Sequence, residues 1–169
     1  LWEKGYPHLF ECGAQIVADS AGAGEFNGGP GGRVVIRARD KSTAVAGFGD
    51  GKVFPPKGVL GGKSGAGNRG YILDSASERI QELPMVGIFQ IHPGQALEAL
   101  IAGGGGFGEP LDRDPERVRQ DVRKGWVTVE KARDTYGVVL DLTPELFAVD
   151  YDNTSRLRKR MKHLPASDN

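Results

Sequence analysis

Several ingredients of common protein classes are scarce in this chain of 169 residues. A single cysteine, Cys12, excludes an internal disulfide framework and a cysteine-based zinc site. No apolar run approaches the roughly 20 residues that a membrane-spanning helix needs. Lys plus Arg and Asp plus Glu both number 22, and this zero net charge argues against a general nucleic-acid or membrane-surface binder. The low cysteine content favours a reducing compartment, so we predict a cytoplasmic protein.

Catalytic signatures are scarce as well. The three histidines, His8, His92 and His163, are widely separated and show no spacing typical of metal ligands. No Ser-His-Asp arrangement is recognisable, so the sequence assigns no catalytic residue and predicts no metal bound by this chain alone.

The chain begins at Leu1 without an initiator Met or a signal-peptide pattern, which indicates a fragment or a processed product. Whether Leu1 is a natural terminus stays open.

Glycine, in contrast, is abundant. The 26 glycines are concentrated in three clusters, residues 19–32, 58–67 and 103–106, which are separated by apolar segments. Four consecutive glycines, Gly103–Gly106, suit neither a helix nor a strand. Such a run requires either positive φ angles or a very close approach to another part of the chain.

The pattern of apolar segments predicts the α+β class, mostly antiparallel β with glycine-rich loops and two or three short C-terminal helices. Capping signals define one helix that starts at Asp114-Pro115 and ends at Lys124-Gly125, and a second from about Thr128 to Tyr136. A basic helix is predicted over 155–163. We divide the single domain into a β-rich region (1–102), a glycine run with a two-helix motif (103–142) and a basic tail (143–169). The predicted strands lie at 9–10, 15–18, 33–39, 43–46, 71–73, 85–91 and 96–101.

Polar groups on the glycine-rich loops are the candidate ligand contacts, because loops on a rigid sheet commonly hold ligands. The candidates for ligand or loop contact are Asp19, Ser20, Gly28, Gly29, Lys63, Ser64, Gly104 and Gly105. The first loop is interpreted either as a tight connection between strands or as an anion-binding nest of amides. Gly62-Lys63-Ser64 superficially suggests a phosphate loop, but Lys57 occupies the required glycine position and a strand, not a helix, follows. The alternating Arg33, Arg37 and Arg39 indicate an exposed or interface face, or else line a polar site.

The glycine run is followed by Phe107, then by Arg113-Asp114-Pro115-Glu116-Arg117-Val118, and later by Tyr136-Gly137-Val138-Val139. These C-terminal motifs and their order resemble those of the hydantoinase B family. Glu109 replaces the usual Asp of a Gly-Asp-Pro triplet. Further matches are Glu3 to Pro7, Asp19-Ser20 with the following glycines, and Pro56 to Gly65. Glu25 and Asn27 occupy positions that are usually arginine, which weakens an anion-binding role for the first loop.

This resemblance implies a C-terminal portion or small subunit of a B-type subunit. The family includes the B-type subunits of N-methylhydantoinases, the matching half of oxoprolinase, and subunits of acetone and acetophenone carboxylases. It implies a multi-subunit hydrolase or ligase that uses ATP and a divalent metal, with an A-type subunit and the larger remainder of the B-type subunit as partners. The reaction would be hydrolysis of a cyclic amide or carboxylation of a ketone. The alternative is a non-catalytic assembly module that docks through Arg37, Arg39 and the basic tail. No nucleic acid or membrane is expected as a partner.

Overall fold

The computed structural model describes residues 9–143 and 147–163. Its strands are β1 (Leu9–Ile16), β2 (Gly32–Ala38), β3 (Thr43–Phe48), β4 (Arg69–Leu73), β5 (Arg79–Leu83), β6 (Val86–Ile91), β7 (Ala96–Leu100), β8 (Leu140–Asp141) and β9 (Ala148–Val149). Its helices are α1 (Pro115–Arg123), α2 (Val129–Asp134) and α3 (Tyr151–His163), and a short 3-10 turn covers Pro110–Asp112. The predicted features at Glu3–Pro7, at His8 and at 144–146 lie outside the described residues.

All strand pairs are antiparallel. Five strands form one sheet in the order β1-β2-β7-β4-β5, while β3 pairs with β6 and β8 pairs with β9 in separate two-stranded sheets. Two buried apolar clusters lie along the larger sheet, one around Ile72, Leu83 and Ile91 and one around Val35 and Leu73. The predicted α+β class, with mostly antiparallel strands and short C-terminal helices, is confirmed.

Strands β1 and β5 differ most from the sequence prediction, and the two-residue strand β9 was not predicted either. Instead of two short pieces at 9–10 and 15–18, β1 is one strand whose register shifts between Glu11 and Gly13. Gly13 has φ +141°, which is a glycine conformation, so the strand can continue through the irregularity. Strand β5 was not predicted at all, because four of its five residues are exposed on the sheet edge and the segment RIQEL shows no apolar run.

The predicted two-helix motif is confirmed at both of its capped ends. The Asp114 side chain accepts a hydrogen bond from Glu116 N, Pro115 occupies the first turn of α1, and Gly125 follows the helix with φ +71°. Helix α2 is capped by Thr128 and stopped by Gly137, whose φ is +61°. The three-part division of the chain stays a prediction.

Helices α1 and α2 pack together on a third cluster. Its buried members are Ala23, Val118, Val127, Ala132, Tyr136, Val138 and Val149. Ala23 belongs to the first glycine loop, so this cluster joins that loop to the helices. Helix α3 begins at Tyr151, four residues ahead of the predicted Ser155, because the carboxylate of Asp150 caps it by accepting a hydrogen bond from Asn153 N at 2.9 Å.

Candidate functional site

The three glycine clusters come together in the fold as one unit, which we call the glycine bundle: residues 19–31, 56–67 and 103–108. Backbone hydrogen bonds join its segments, from Gly22 N to Gly104 O (2.8 Å), from Lys63 N to Ala23 O (2.7 Å) and from Gly106 N to Lys63 O (2.9 Å). The run of four glycines therefore contacts both other segments. A bundle assembled this way places main chain, rather than side chains, in its interior.

The glycine run is required by close approach and not by positive φ. None of Gly103–Gly106 is among the glycines with positive φ. A Cβ atom on Gly103 would lie closer than 3.0 Å to the carbonyl oxygen of Ser20, and one on Gly106 would be as close to that of Ala23. Of the two explanations that the sequence left open for this run, the second is correct.

Asp19 and Ser20 hold the first loop of the bundle in place. The Asp19 carboxylate accepts hydrogen bonds from Thr128 N (2.9 Å) and Thr128 Oγ1 (2.7 Å), which ties the loop to the start of α2. Ser20 is buried; its Oγ donates to Val17 O (2.5 Å) and accepts from Gly31 N (2.7 Å). Both polar side chains thus have protein partners.

The cationic side chain of Lys131, on α2, contacts the same loop. Its Nζ donates to Asp19 O at 2.7 Å, and burial lowers its pKa although the Asp19 carboxylate opposes this effect. Lys131 of α2 therefore holds the loop through its main-chain carbonyl oxygens, close to the negative charge of the Asp19 carboxylate.

The remaining candidates are the more accessible part of the bundle. Lys63, Ser64 and Gly29 are exposed, while Gly28, Gly104 and Gly105 are half-buried. Gly28 and Gly29 lie against Gly104, which donates to Gly29 O at 2.8 Å. Within the described chain, the Lys63 and Ser64 side chains make no hydrogen bond or ion pair. A strand, β4, follows this segment, as predicted. A ligand-binding role for these candidates stays a prediction.

Sequence reasoning did not find a buried polar network beside the bundle. Arg113 donates from Nη2 to Asp121 Oδ2 (2.8 Å) and from Nη1 to Glu25 O (2.8 Å). Asn27 donates to Asp121 Oδ2 (3.2 Å) and accepts from the Tyr136 hydroxyl (2.9 Å). Burial raises the pKa of Tyr136 to about 12, so the hydroxyl stays protonated as a donor. Arg113 and Tyr136 stand in recognised motifs, but Asp121 gives no signal among the charges of α1.

This network borders a small cavity. The cavity has a volume of about 130 Å³ and is lined by Ala21, Asn27, Gly28, Pro30, Arg113, Asp121, Trp126 and Val127. Its polar groups are the members of the network just described. Most of these groups are paired with one another, while the buried Nε of Arg113 has no hydrogen-bond partner in the described part of the chain. The pairs that do form fasten the helices to the first glycine loop.

Arg33 and Arg37 of β2 have structural partners, which corrects the sequence interpretation of an exposed or interface face for these two residues. Arg39 lies beyond β2 and is exposed, and its docking role stays a prediction. Arg33 Nε lies 2.5 Å from Glu98 Oε1, and Arg79 Nε lies 2.6 Å from Glu98 Oε2. The Glu98 carboxylate is only 2% exposed. Burial alone would raise its pKa, but the hydrogen bonds from Arg79 and Arg33 outweigh that effect and lower the pKa.

Arg37, the next arginine of β2, is held in the same way. It donates to the carbonyl oxygens of Gly94 and Asp74 and, from Nη2, to Ser77 Oγ at 3.1 Å. Arg33 and Arg37 therefore tie β2 to its neighbours instead of offering a charged docking face.

Within residues 9–143 and 147–163, no group of three His, Cys, Asp or Glu side chains could hold a metal ion. None of the helices in that part of the chain is long and apolar enough to span a membrane.

The fold and the bundle thus define a class of protein: an antiparallel α+β scaffold in which glycine-rich main chain is packed and then fixed by a C-terminal helical motif. The sequence profile of the hydantoinase B/oxoprolinase family matches residues 1–110, and the chain belongs to that family. The resemblance inferred from the motifs is thereby confirmed.

Individual relatives extend this result. The caprolactamase subunit beta of Pseudomonas jessenii is 34% identical over 150 residues, which cover 83% of this chain and 25% of that protein. The crystal structure of ATP-dependent caprolactamase from Pseudomonas jessenii superimposes with a TM-score of 0.75 at 28% identity over 93% of this chain and 27% of that one. The nucleotide-free structure of acetone carboxylase gives a TM-score of 0.72 at 25% identity over 92% of this chain and 25% of that one.

Each of these matches covers most of this chain but only a small part of the relative. The chain spans about a quarter of the length of the curated relatives that it matches. The superposition on caprolactamase covers 93% of the chain, which is too much to leave out the helical motif that follows the profile match. The shared unit is therefore most of the described fold, and it extends beyond residue 110 into the helical motif.

Proposed function

We propose that this chain acts as the C-terminal piece, or as a small subunit, of an ATP-dependent multi-subunit hydantoinase or ketone carboxylase. The observation that carries the proposal is the match to caprolactamase subunit beta over 83% of this chain but only 25% of that protein. In this proposal the chain completes the scaffold of a B-type subunit, and it is not active alone. We place it in the cytoplasm with the rest of such a complex.

The cofactors of the proposed complex are ATP and a divalent metal. The described residues do not fit either group. They contain no cluster of metal-binding side chains, and Gly62-Lys63-Ser64 leads into a strand instead of the helix N-terminus that a phosphate loop uses. We therefore assign ATP binding to an A-type partner and metal binding to the larger part of the B-type subunit, and we derive no chemical step through these groups.

The role proposed for this chain is geometric. The glycine bundle is fixed by the hydrogen bonds from Thr128 to the Asp19 carboxylate and from Arg113 Nη1 to Glu25 O, with donor-acceptor distances of 2.7 to 2.9 Å. A scaffold whose main chain is tied in this way can present Lys63 and Ser64 to an adjoining active site with little loss of main-chain conformational entropy on binding.

The test is assembly followed by activity. The chain is co-expressed with an A-type subunit and the larger part of a B-type subunit, and the purified complex is assayed for ATP-dependent opening of a lactam, opening of a hydantoin, and carboxylation of acetone with bicarbonate. We expect co-purification and one of the three activities. A stable solitary chain that leaves the other two subunits fully active would contradict the proposal.

A second candidate function is a non-catalytic assembly module, which the exposed basic side chains on α3 favour. Truncation after Leu142 is a poor test of it. Arg158 donates from Nη2 to Arg113 O (2.7 Å) and from Nε to Tyr136 O (3.0 Å), so removing α3 would strip contacts from the core.

Reversing charge at Lys159 and Arg160, which are exposed on the same helix, is a cleaner test. Loss of assembly in this variant, with the chain still folded, would favour the assembly module. Intact assembly together with a loss of turnover in a Lys63→Ala variant would favour a role beside the active site.

A further inference from the structure

The two-stranded sheet of β3 and β6 has one face that is unusually apolar for a surface. This face, which we call the hairpin face, consists of alternate residues of both strands: Ala44, Ala46, Phe48, Val86, Ile88 and Gln90. All six are exposed, and Phe48, Ile88 and Val86 are 82%, 76% and 64% exposed. A solvated face of an antiparallel sheet normally carries polar side chains at these positions. Here none of the six is charged.

The opposite face of the same sheet is already used by the fold. Val45, Phe89 and Ile91 point toward the cluster that contains Ile72 and Leu83. The ring of Phe89 also covers the paired Gly47 and Gly87, where a Cβ atom would lie 2.9 Å from it. The sheet therefore cannot rotate to bury the hairpin face, because that rotation would expose Val45, Phe89 and Ile91 to solvent.

The hairpin is also incomplete as a sheet. In the described chain, β3 and β6 pair only with each other, so each has an unpaired edge. Two-stranded sheets are marginally stable in water, and exposed apolar edges are normally blocked by charge, proline or cover. Beside the hairpin, a cavity of about 390 Å³ opens toward the larger sheet, lined in part by Phe48, Met85, Phe89 and Leu100. An apolar face, open edges and an apolar cavity thus adjoin one another.

We propose that the hairpin face is the surface on which the remainder of a B-type subunit docks. The inference rests on the proposed function and specifies where this partner is seated. The occupant follows from lengths: the matched relatives contain most of this fold as about a quarter of their chain, so three quarters of a B-type subunit must pack around it. The absence of charge on the face fits the core of a permanent interface, where charged residues are depleted.

The experiment compares this chain alone with a chimera in which the chain replaces the matched quarter of the caprolactamase beta subunit. Amide hydrogen exchange is measured for β3 and β6 in both. We expect exchange at least tenfold slower in the chimera, because the partner covers the face and pairs the edges. Equal exchange in both proteins would overturn the proposal.

A pair of variants shows whether the face itself is responsible. Ile88→Lys on the hairpin face is compared with Ile80→Lys on the edge strand β5, where Ile80 is 53% exposed. In the isolated chain both should leave the melting temperature unchanged within about a degree, because surface substitutions away from special features are usually nearly neutral. In the chimera only Ile88→Lys should restore fast exchange in β3 and β6. An effect of Ile80→Lys alone, or of neither variant, would overturn the proposal.

The remaining outcomes are also decisive. If the isolated chain dimerises and Ile88→Lys abolishes the dimer, the occupant is a second copy and the proposal is wrong. If the chimera does not fold, side-chain footprinting of the intact caprolactamase beta subunit replaces it: strands corresponding to β3 and β6 must be protected, and free labelling there refutes the inference. Exchange reports docking and not turnover, so a chimera that is protected but inactive would contradict only the proposed function.

Discussion

Replacing Gly103 by alanine tests whether the glycine bundle is held by close main-chain contact. The added Cβ would clash with the carbonyl oxygen of Ser20, which itself accepts a hydrogen bond from Ala66 N at 2.8 Å. Gly103 N donates to Ala66 O at 3.0 Å, so any shift that relieves the clash stretches two hydrogen bonds.

The expected loss follows from these contacts. Overpacking a filled interior costs about 1 to 3 kcal/mol and each lost hydrogen bond about 1 kcal/mol. We therefore expect Gly103→Ala to lower the free energy of unfolding by about 3 to 5 kcal/mol, a large share of the roughly 5 to 15 kcal/mol that domains possess. Urea denaturation followed by circular dichroism and tryptophan fluorescence measures this change. Trp126 is a suitable reporter because its carbonyl oxygen accepts a hydrogen bond from Asp19 N at 2.9 Å.

Two neighbouring glycines provide graded controls. A Cβ on Gly29 meets nothing within 4 Å, so Gly29→Ala should be neutral or stabilise by about 0.4 to 1 kcal/mol through the unfolded chain. A Cβ on Gly104 would lie 3.0 Å from Gly29 N, which predicts an intermediate loss. If Gly103→Ala unfolds at the same urea concentration as Gly29→Ala, the reasoning is refuted.

Three further predictions concern the polar contacts. Asp121→Ala leaves Arg113 buried without its charge partner, so we expect a loss of about 3 to 5 kcal/mol in urea denaturation, and a loss under 1 kcal/mol would contradict the role of this pair. The pKa of Glu98 is lowered in the folded chain, so the ionised Glu98 carboxylate stabilises the fold above its ordinary pKa. This stabilisation is lost as the pH falls from the ordinary pKa through the lowered pKa of the folded state. The difference in stability between wild type and Glu98→Gln should therefore shrink on acidification, and a pH-independent difference would oppose this. Asp19→Ala removes two hydrogen bonds to Thr128 and should cost about 2 kcal/mol while increasing amide exchange in α2; unchanged exchange there would argue against the tie.

Local sequence signals predicted much of the helical motif and most of the strands. Asp114-Pro115 and Gly125 specify the ends of α1 through capping and φ, which depend on a few adjacent residues. Strand β6 followed from its apolar run. Strand β5 did not, because its residues are polar and it exists only by pairing with β4. Likewise, Asp121 looks like any other charge on a helix until Arg113 is brought against it from eight residues away.

The sequence by itself determined the family, through the order of its motifs, and the fold class, through its apolar segments and capping residues. It also showed that residues 103–106 are glycines for a conformational reason, but it left open whether that reason is positive φ or close approach. Only the tertiary structure decided what those glycines pack against, that Asp19, Ser20, Arg33 and Arg37 serve as internal ties, and that the hairpin of β3 and β6 is left with an uncovered apolar face. These properties arise between segments that are distant along the chain, and whether a side chain is paired, buried or open depends on which segments the fold brings together.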